Sequence, residues 1–298
     1  MKKSILFIYN PKAGKGKIRA LLPDIIELFN NHCYEVVVYA TRYKRHAEQI
    51  VEDCLQQQRF DYVVCSGGDG TLNEVINGTM NCDIRPKIGY IPSGTVNDFA
   101  YTLRLPKNMM EAAKTVLVDS LQSCDVGSFN ESYFVYNAAF GLFSDVSYKT
   151  AQSFKKMLGR IAYLFEGVKR LSNLKAYHID IILDEQVISE QFIYGMVANT
   201  KSVGGFRGIT GNEVMLDDGK FEGIFIRMPH NILDLQDIIN HLRKGNLNCD
   251  LILSLPVKKI HFRSEEEVPW VIDGEYGGQL HNVRIENNRQ AVSITALL

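Results

Sequence analysis

Strand-like apolar runs at residues 5–9, 36–39, 62–65 and 87–91 alternate, through the first third of the chain, with segments whose apolar side chains recur at helical spacing. No other feature of the sequence limits the fold as sharply. Ile18, Leu21, Leu22, Ile25, Leu28 and Phe29 mark a first helix, Ala47, Ile50, Val51, Cys54 and Leu55 a second, and Leu72, Val75 and Ile76 a third. Unbroken apolar runs suit strands buried on both faces, so the alternation predicts a parallel sheet covered by helices. The 298 residues are 46% hydrophobic, enough for a sizeable core in one large or two medium domains, which excludes a disordered or coiled-coil chain. With 33 Lys+Arg against 34 Asp+Glu the net charge is -1, and this argues against nucleic acid as a partner.

After about Cys124 the rhythm changes. Runs at 133–140, 176–183, 191–198, 221–227, 259–262 and 268–272 are strand-like, with turn signals between most of them. They predict an antiparallel β domain with helical inserts near 145–171 and 232–244. No linker separates the halves, so two apposed domains with a cleft between them are expected. No apolar stretch is long enough to cross a bilayer. The run at 5–9 stops at Asn10-Pro11, short of the ~7–15 residues of a signal-peptide core. The six cysteines (33, 54, 65, 82, 124, 249) form no CxxC pair and read as free thiols in a reducing cytosol.

Three loops follow strand ends. Ser66-Gly67-Gly68-Asp69-Gly70-Thr71-Leu72-Asn73-Glu74 sits between a strand and a helix. Glycines there remove the Cβ atoms that would keep backbone N–H groups from phosphate oxygens, and the helix N-terminus adds positive potential. Asp69 beside phosphates suits Mg²⁺ or its waters, since a bare carboxylate would repel the anion. A tight turn capped by an Asp is the plainer alternative; the doubled glycine in this context favours phosphate. Asn10-Pro11-Lys12-Ala13-Gly14-Lys15-Gly16-Lys17 is equally readable as a phosphate loop or a solvated basic turn, and it fits neither a Walker A nor a dinucleotide fingerprint. Pro92-Ser93-Gly94-Thr95-Val96-Asn97-Asp98-Phe99-Ala100 is the third, with Asp98 either a helix cap or a second acidic group near the metal. All three fall at the carboxyl edge of the predicted sheet, where open α/β folds bind ligands.

In the second half, Leu216-Asp217-Asp218-Gly219-Lys220-Phe221 reads first as an Asp-Gly hairpin turn and second as a wrap around a divalent ion. Pro269-Trp270-Val271-Ile272-Asp273-Gly274-Glu275 puts two carboxylates at a strand end. General-base work and a second Asp-Gly turn are evenly matched there. There is no HExxH, no metal-ligand His spacing and no GxSxG elbow.

The chain resembles the soluble bacterial diacylglycerol kinases and the YegS/BmrU-type lipid kinases, whose catalytic domain is shared with eukaryotic diacylglycerol, sphingosine and ceramide kinases. The resemblance runs almost end to end, through Asn10-Pro11-Lys12-Ala13-Gly14, residues 67–73, the Pro92-to-Ala100 loop, Asp217-Asp218-Gly219-Lys220-Phe221 and Asp273-Gly274-Glu275. Gly-Gly-Asp-Gly-Thr is also found in NAD kinases and phosphofructokinases; the third loop together with Asp-Gly-Glu is far more specific. It implies an α/β plus all-β chain: a Rossmann-like nucleotide-binding domain over 1–127, joined by the tail 291–298, and an antiparallel β-sandwich over 128–290. It implies ATP against Asn10, Pro11, Lys12, Ala13, Gly14, Thr41, Gly67, Gly68, Asp69, Gly70, Thr71, Leu72, Asn73 and Thr95. Asp69 and Asp98 would belong to an Asp–water–Mg²⁺ network. A structural Mg²⁺ would be held by Asp218 and the backbone oxygens of Met215 and Lys220, and Glu275 or Asp273 would accept the proton of the lipid hydroxyl. One departure precedes the metal loop: the family's Pro-x-Ala-x-x-x-Asp-Gly is here Asn212-Glu213-Val214 and onward.

The expected activity is therefore ATP- and Mg²⁺-dependent transfer of a phosphoryl group to a lipid hydroxyl, first of all that of diacylglycerol. Another lipid acceptor (sphingosine-like, phosphatidylglycerol, polyprenol) and an NAD kinase-like activity are the alternatives among enzymes. A non-catalytic nucleotide- or lipid-binding sensor is the alternative of another class, resting on Lys155, Lys156, Arg160, Lys169 and Arg170. A cytoplasmic, peripherally membrane-associated protein is expected, in a family that includes homodimers.

Overall fold

Strand β1 (Lys3–Tyr9) carries Ile5-Leu6-Phe7-Ile8, all four fully buried. A strand apolar on both faces needs neighbours and cover on both sides. It pairs in parallel with β2 (Tyr34–Ala40) on one side and β3 (Tyr62–Gly67) on the other, and β4 (Lys87–Pro92) extends the parallel array beyond β3. The resulting order is β2-β1-β3-β4. Helices α1 (Ile18–Asn31), α2 (His46–Gln57), α3 (Asp69–Met80), α4 (Asp98–Thr102) and α5 (Met109–Val118) fill the connections. Ile25 and Phe29 of α1 and Ala112 and Val116 of α5 pack on Ile5, Phe7, Tyr62 and Val64. Leu6 and Ile8, buried on the opposite face by strand alternation, require cover there as well.

The computed structural model describes residues 3–95, 97–141, 174–199, 202–203, 206–207 and 215–297. The chain divides into two units, Met1–Val126 with Gln290–Leu298, and Gly127–Arg289. The architecture is thus α/β at the N-terminal side and all-β, but for one described helix, in the second unit. The helical insert expected near 145–171, with its basic residues, lies outside the described residues. Among the described residues no helix is long and apolar enough to cross a membrane.

β5 (Leu121–Phe129) begins in the first unit, and its last three residues, in the second, form a hairpin with β6 (Ser132–Phe134). There follow β7 (Asn137–Gly141), β8 (Tyr177–Leu183), β9 (Gln186–Ala198), the short pair β10 (Ser202–Val203) and β11 (Phe206–Arg207), and β12 (Phe221–Arg227). Helix α6 (Ile232–Lys244), β13 (Ile252–Val257), β14 (Lys259–Ile272) and β15 (Glu275–Thr295) complete the chain. Every pairing in this unit is antiparallel. β9 pairs first with β8 and then with β7 and β12, and β14 likewise meets β8 and then β7. The sheet so formed encloses an aromatic core in which Trp270 lies 4.9 Å from Phe140 and 5.1 Å from Phe262, ring centre to ring centre.

Three expected strands take a different form. The run 133–140 is broken, because the backbone N–H groups of Val135 and Tyr136 turn to the Asp273 carboxylate and leave the ladder. The runs 259–262 and 268–272 are one strand, with the irregularity absorbed between Arg263 and Val268, around the charged Glu265-Glu266-Glu267. Beyond Arg289 the end of β15 belongs to the first unit, where Ile294 pairs in parallel with Ile88.

Candidate functional site

With β1 between β2 and β3, the chain leaves β1 to one side and returns to the other, so the carboxyl ends of β1 and β3 flank a topological switch point. The loops that leave these ends are tied together through their backbones. The Asn10 N–H donates to the Ser66 carbonyl (2.8 Å), those of Ser93 and Gly94 to Gly67 (2.8 and 3.1 Å), and that of Thr41 to Tyr9 (2.9 Å). Gly14, with φ of +53°, approaches so closely that an added Cβ would fall 2.0 Å from the Ser93 carbonyl oxygen. At Gly94 a Cβ would fall 2.5 Å from the Gly68 Cα. The three loops therefore form one cradle with walls of bare backbone, the kind of surface that approaches phosphate oxygens.

Each sequence-predicted residue of this group has a definite place. Asn10 closes its own loop, accepting from the Lys12 N–H (2.9 Å) and donating to Thr71 Oγ1 (3.5 Å). Pro11, Lys12, Ala13 and Gly14 lie in the turn between β1 and α1. Gly67 ends β3, Gly68 caps α3, and Asp69, Gly70, Thr71, Leu72 and Asn73 form its first turns. Asp69 Oδ1 accepts from the Phe99 N–H (3.4 Å), which fastens the start of α3 to α4. Asp98 is the first residue of α4. Thr95 is exposed in the third loop, whereas the Leu72 side chain is 1% exposed and belongs to the core. Beneath the cradle the Cys65 thiol is pushed up by burial and, to a lesser degree, by the charge of Asp69, so it stays a neutral thiol.

Two residues of these motifs to which the sequence reading gives no role of their own fasten the elements around the cradle. Glu74 accepts from the N–H groups of Arg45 (2.8 Å) and Ala47 (3.1 Å), capping α2 from α3. Asn97, itself left-handed at φ of +56°, accepts from the Gly94 N–H (3.1 Å) and donates to the Gly94 carbonyl (2.9 Å), closing the third loop.

In the second unit the two candidate bases differ. Asp273 is 4% exposed and accepts from the N–H groups of Val135 (2.8 Å), Tyr136 (3.0 Å) and Asn137 (2.9 Å). Its own N–H donates to the Asn137 carbonyl (2.9 Å). Glu275, two residues on at the start of β15, is exposed. Residues 216–219 form the loop before β12, with Gly219 at φ of +83° and Asp218 Oδ1 accepting from the Lys220 N–H (2.9 Å). Met215, at the head of this loop, is exposed. Glu222, a residue that the motif reading passed over, has its Oε2 buried with no hydrogen-bond partner. Burial, and behind it the charge of Asp218, raises its carboxyl to about 7. A buried carboxylate oxygen without a partner, within reach of the charge of Asp218, suits an oxygen-ligated divalent cation, so these residues fit one.

An α/β unit with a glycine cradle at its switch point, joined to an all-β unit with carboxylates at its turns, describes a phosphotransferase more readily than a simple binding module. Residues 4–129 match the diacylglycerol kinase catalytic domain. The chain is 35% identical over 281 residues to a diacylglycerol kinase of Staphylococcus haemolyticus (strain JCSC1435), covering 94% of this chain and 84% of that one. It is 33% identical to one of Staphylococcus carnosus (strain TM300), covering 91% of it. A solved structure from Bacillus anthracis str. Sterne superposes over 99% of this chain and 97% of its own, with a TM-score of 0.80 and 28% identity. A second, described as a diacylglycerol kinase of the same strain, gives a TM-score of 0.74 at 26% identity. The chain belongs to the diacylglycerol kinase family and is a lipid kinase.

Proposed function

We propose that the chain transfers the γ-phosphoryl group of ATP to the free hydroxyl of 1,2-diacylglycerol, with Mg²⁺, to give phosphatidic acid at a membrane surface. The observation that carries this reading is the backbone cradle in which Gly14, Gly67, Gly68 and Gly94 meet. The parallel order β2-β1-β3-β4 and the antiparallel second unit support a Rossmann-like nucleotide-binding domain and a β-sandwich lipid domain. In this reading the glycine-walled loops of residues 10–14 and 67–73 line the phosphate tail, the N-terminus of α3 adds its positive end, and Thr41 and Thr95 flank the nucleotide. Asp69 and Asp98 would belong to an Asp–water–Mg²⁺ network around the ion bound with ATP. A second ion belongs to Asp218 with the backbone oxygens of Met215 and Lys220. Bound Mg²⁺ supplies neutralisation of the negative charge on the phosphates.

Glu275 accepts the proton of the attacking hydroxyl. It is exposed, whereas three backbone donors engage Asp273, which positions the turn that presents Glu275. Tyr276, 64% exposed next to it, offers an apolar ring to the acylglycerol. The acceptor rests on the activity named for the relatives in Staphylococcus. The test is transfer from γ-labelled ATP to diacylglycerol in mixed micelles. Sphingosine, ceramide, phosphatidylglycerol, undecaprenol and NAD serve as parallel acceptors, and Asp69→Ala as the blank. Labelled phosphatidic acid that vanishes in the variant supports the reading; label in another acceptor only, or none, overturns it.

A further inference from the structure

Helix α6 ends in a left-handed Gly245 (φ of +64°), after which the chain doubles back and brings Cys249 beside the helix. Asp237 and His241 stand one helical turn apart on the face that Cys249 meets. The carboxylate lies between the other two groups: Oδ2 is 3.7 Å from Cys249 Sγ, and Oδ1 is 3.3 Å from His241 Nδ1. One ligand atom from each residue lies within 4.8 Å of the other two. Ligands around a tetrahedral Zn²⁺, at ~2.0–2.3 Å from the ion, stand about 3.5 Å apart, so three atoms within 4.8 Å of one another need only a small side-chain adjustment to surround it.

The supports of the site are fixed before any ion arrives. Leu235 and Ile238 of α6 are buried, and Leu242, Leu247, Cys249 and Leu251 pack against the same apolar cluster, so the backbone on both sides is held. The Cys249 N–H donates to the Leu247 carbonyl (3.0 Å), and the Ile252 N–H to the Cys249 carbonyl (2.9 Å). His241 Nδ1 also lies 3.0 Å from the Asp237 carbonyl oxygen, a hydrogen bond that ligation through Nδ1 would release. All three side chains are reachable from solvent, with 59% exposure at Asp237 and 25% at His241, leaving room for a water as fourth ligand.

We infer that Asp237, His241 and Cys249 form a site for one divalent transition-metal ion, Zn²⁺ above all, separate from the Mg²⁺ sites of the kinase reaction. A thiolate and an imidazole are soft and borderline donors that favour Zn²⁺ or Co²⁺ over Mg²⁺, whereas the kinase sites are built from oxygen. Binding releases the Cys249 thiol proton to solvent and leaves the ligands as thiolate, neutral imidazole and carboxylate. The ion would clasp the C-terminal half of α6 to the returning chain.

The test is a Co²⁺ titration of the tag-free, full-length protein after treatment with a chelator and a thiol reductant. The expected result is a thiolate-to-cobalt charge-transfer band in the near ultraviolet that saturates at one ion per chain, is displaced by Zn²⁺ and is untouched by excess Mg²⁺. The band should disappear in Cys249→Ser and in the alternative variant Cys249→Ala, and His241→Gln should weaken Zn²⁺ binding by about 10–100-fold or more. Zn²⁺ should raise the melting temperature of the parent protein but not of His241→Gln. No charge-transfer band in the parent, or a band that persists at full strength without Cys249, overturns the inference.

Discussion

Amidating Asp273 removes one lone-pair-only oxygen from a carboxylate that serves three backbone N–H groups. In Asp273→Asn the remaining oxygen keeps the donors from Tyr136 and Asn137, and the new amide faces the Val135 N–H with a donor of its own. A buried donor left unsatisfied costs roughly 1–3 kcal/mol, so urea denaturation should show a loss of that size, while the protein that remains folded keeps most of its kcat. Glu275→Gln should behave in the opposite way: stability unchanged and kcat down by about 10²–10⁴-fold with KM for ATP little altered. If Asp273→Asn abolishes kcat in fully folded protein, the assignment of Glu275 as the base fails. The pair was undecided from sequence because Asp-Gly-Glu fixes which residues share a turn but not which carboxylate turns inward. A further residue-scale effect concerns pH. Lys87 and Tyr62 hold the Asp119 carboxyl below its ordinary value, Lys87 foremost. A depressed carboxyl contributes stability that is present above its unfolded value, near pH 4, and is lost as pH falls through its folded value. Asp119 is about half exposed, so Asp119→Asn should cost only ~0.5–1 kcal/mol at pH 7 and nothing in acid below the folded value, read from denaturation curves at each pH.

The elements around the cradle respond differently to the same small change. Gly14→Ala places a Cβ against the Ser93 carbonyl in a left-handed backbone, so it should displace the first loop from the third and weaken both stability and ATP binding. At Gly68 the same methyl meets only Gly94 Cα at 3.5 Å and Asn97 Oδ1 at 4.0 Å, ordinary contacts, and its φ of −90° suits any residue. Gly68→Ala should therefore fold within about 1 kcal/mol of the parent and still raise KM for ATP, because the methyl is added where the second loop meets the third in the proposed phosphate cradle. Equal KM in parent and variant would remove Gly68 from the phosphate site. Helices α1, α2 and α6 are legible in the sequence because their apolar residues keep the helical period. α5 is not, since its buried positions include the small Ala112 and Ala113, and its clearest signal is the Asn108 side chain that caps it. The cradle is legible as three glycine-rich motifs. Its fastenings are not: Glu74 caps a helix that begins 28 residues earlier, and local spacing carries no sign of such a partner.

At the scale of the whole molecule, the chain closes the first unit with its last residues. Ile294 is fully buried beside Ile88, Thr295 Oγ1 accepts from the Tyr90 N–H (3.4 Å), and the Ala296 and Leu297 N–H groups donate to Ser120 and Leu103. The Gln290 N–H donates to Asp125 Oδ1 at 2.7 Å, and Arg85 reaches the Ala291 carbonyl at 3.1 Å. Removing residues 290–298 strips the first unit of this strand and exposes Ile88 and Tyr90 at the edge of its sheet, while the aromatic core of the second unit lies wholly within Gly127–Arg289. Trp270 is the only tryptophan and is 1% exposed in that core, so its emission reports on the second unit alone. The truncated chain should lose helical circular dichroism in a first, low-temperature transition and the buried-tryptophan emission in a later one near that of the parent. Loss of ATP binding should accompany the first transition. A single transition that removes both signals together, shifted far below the parent, would show that the tail supports the two units as one cooperative structure.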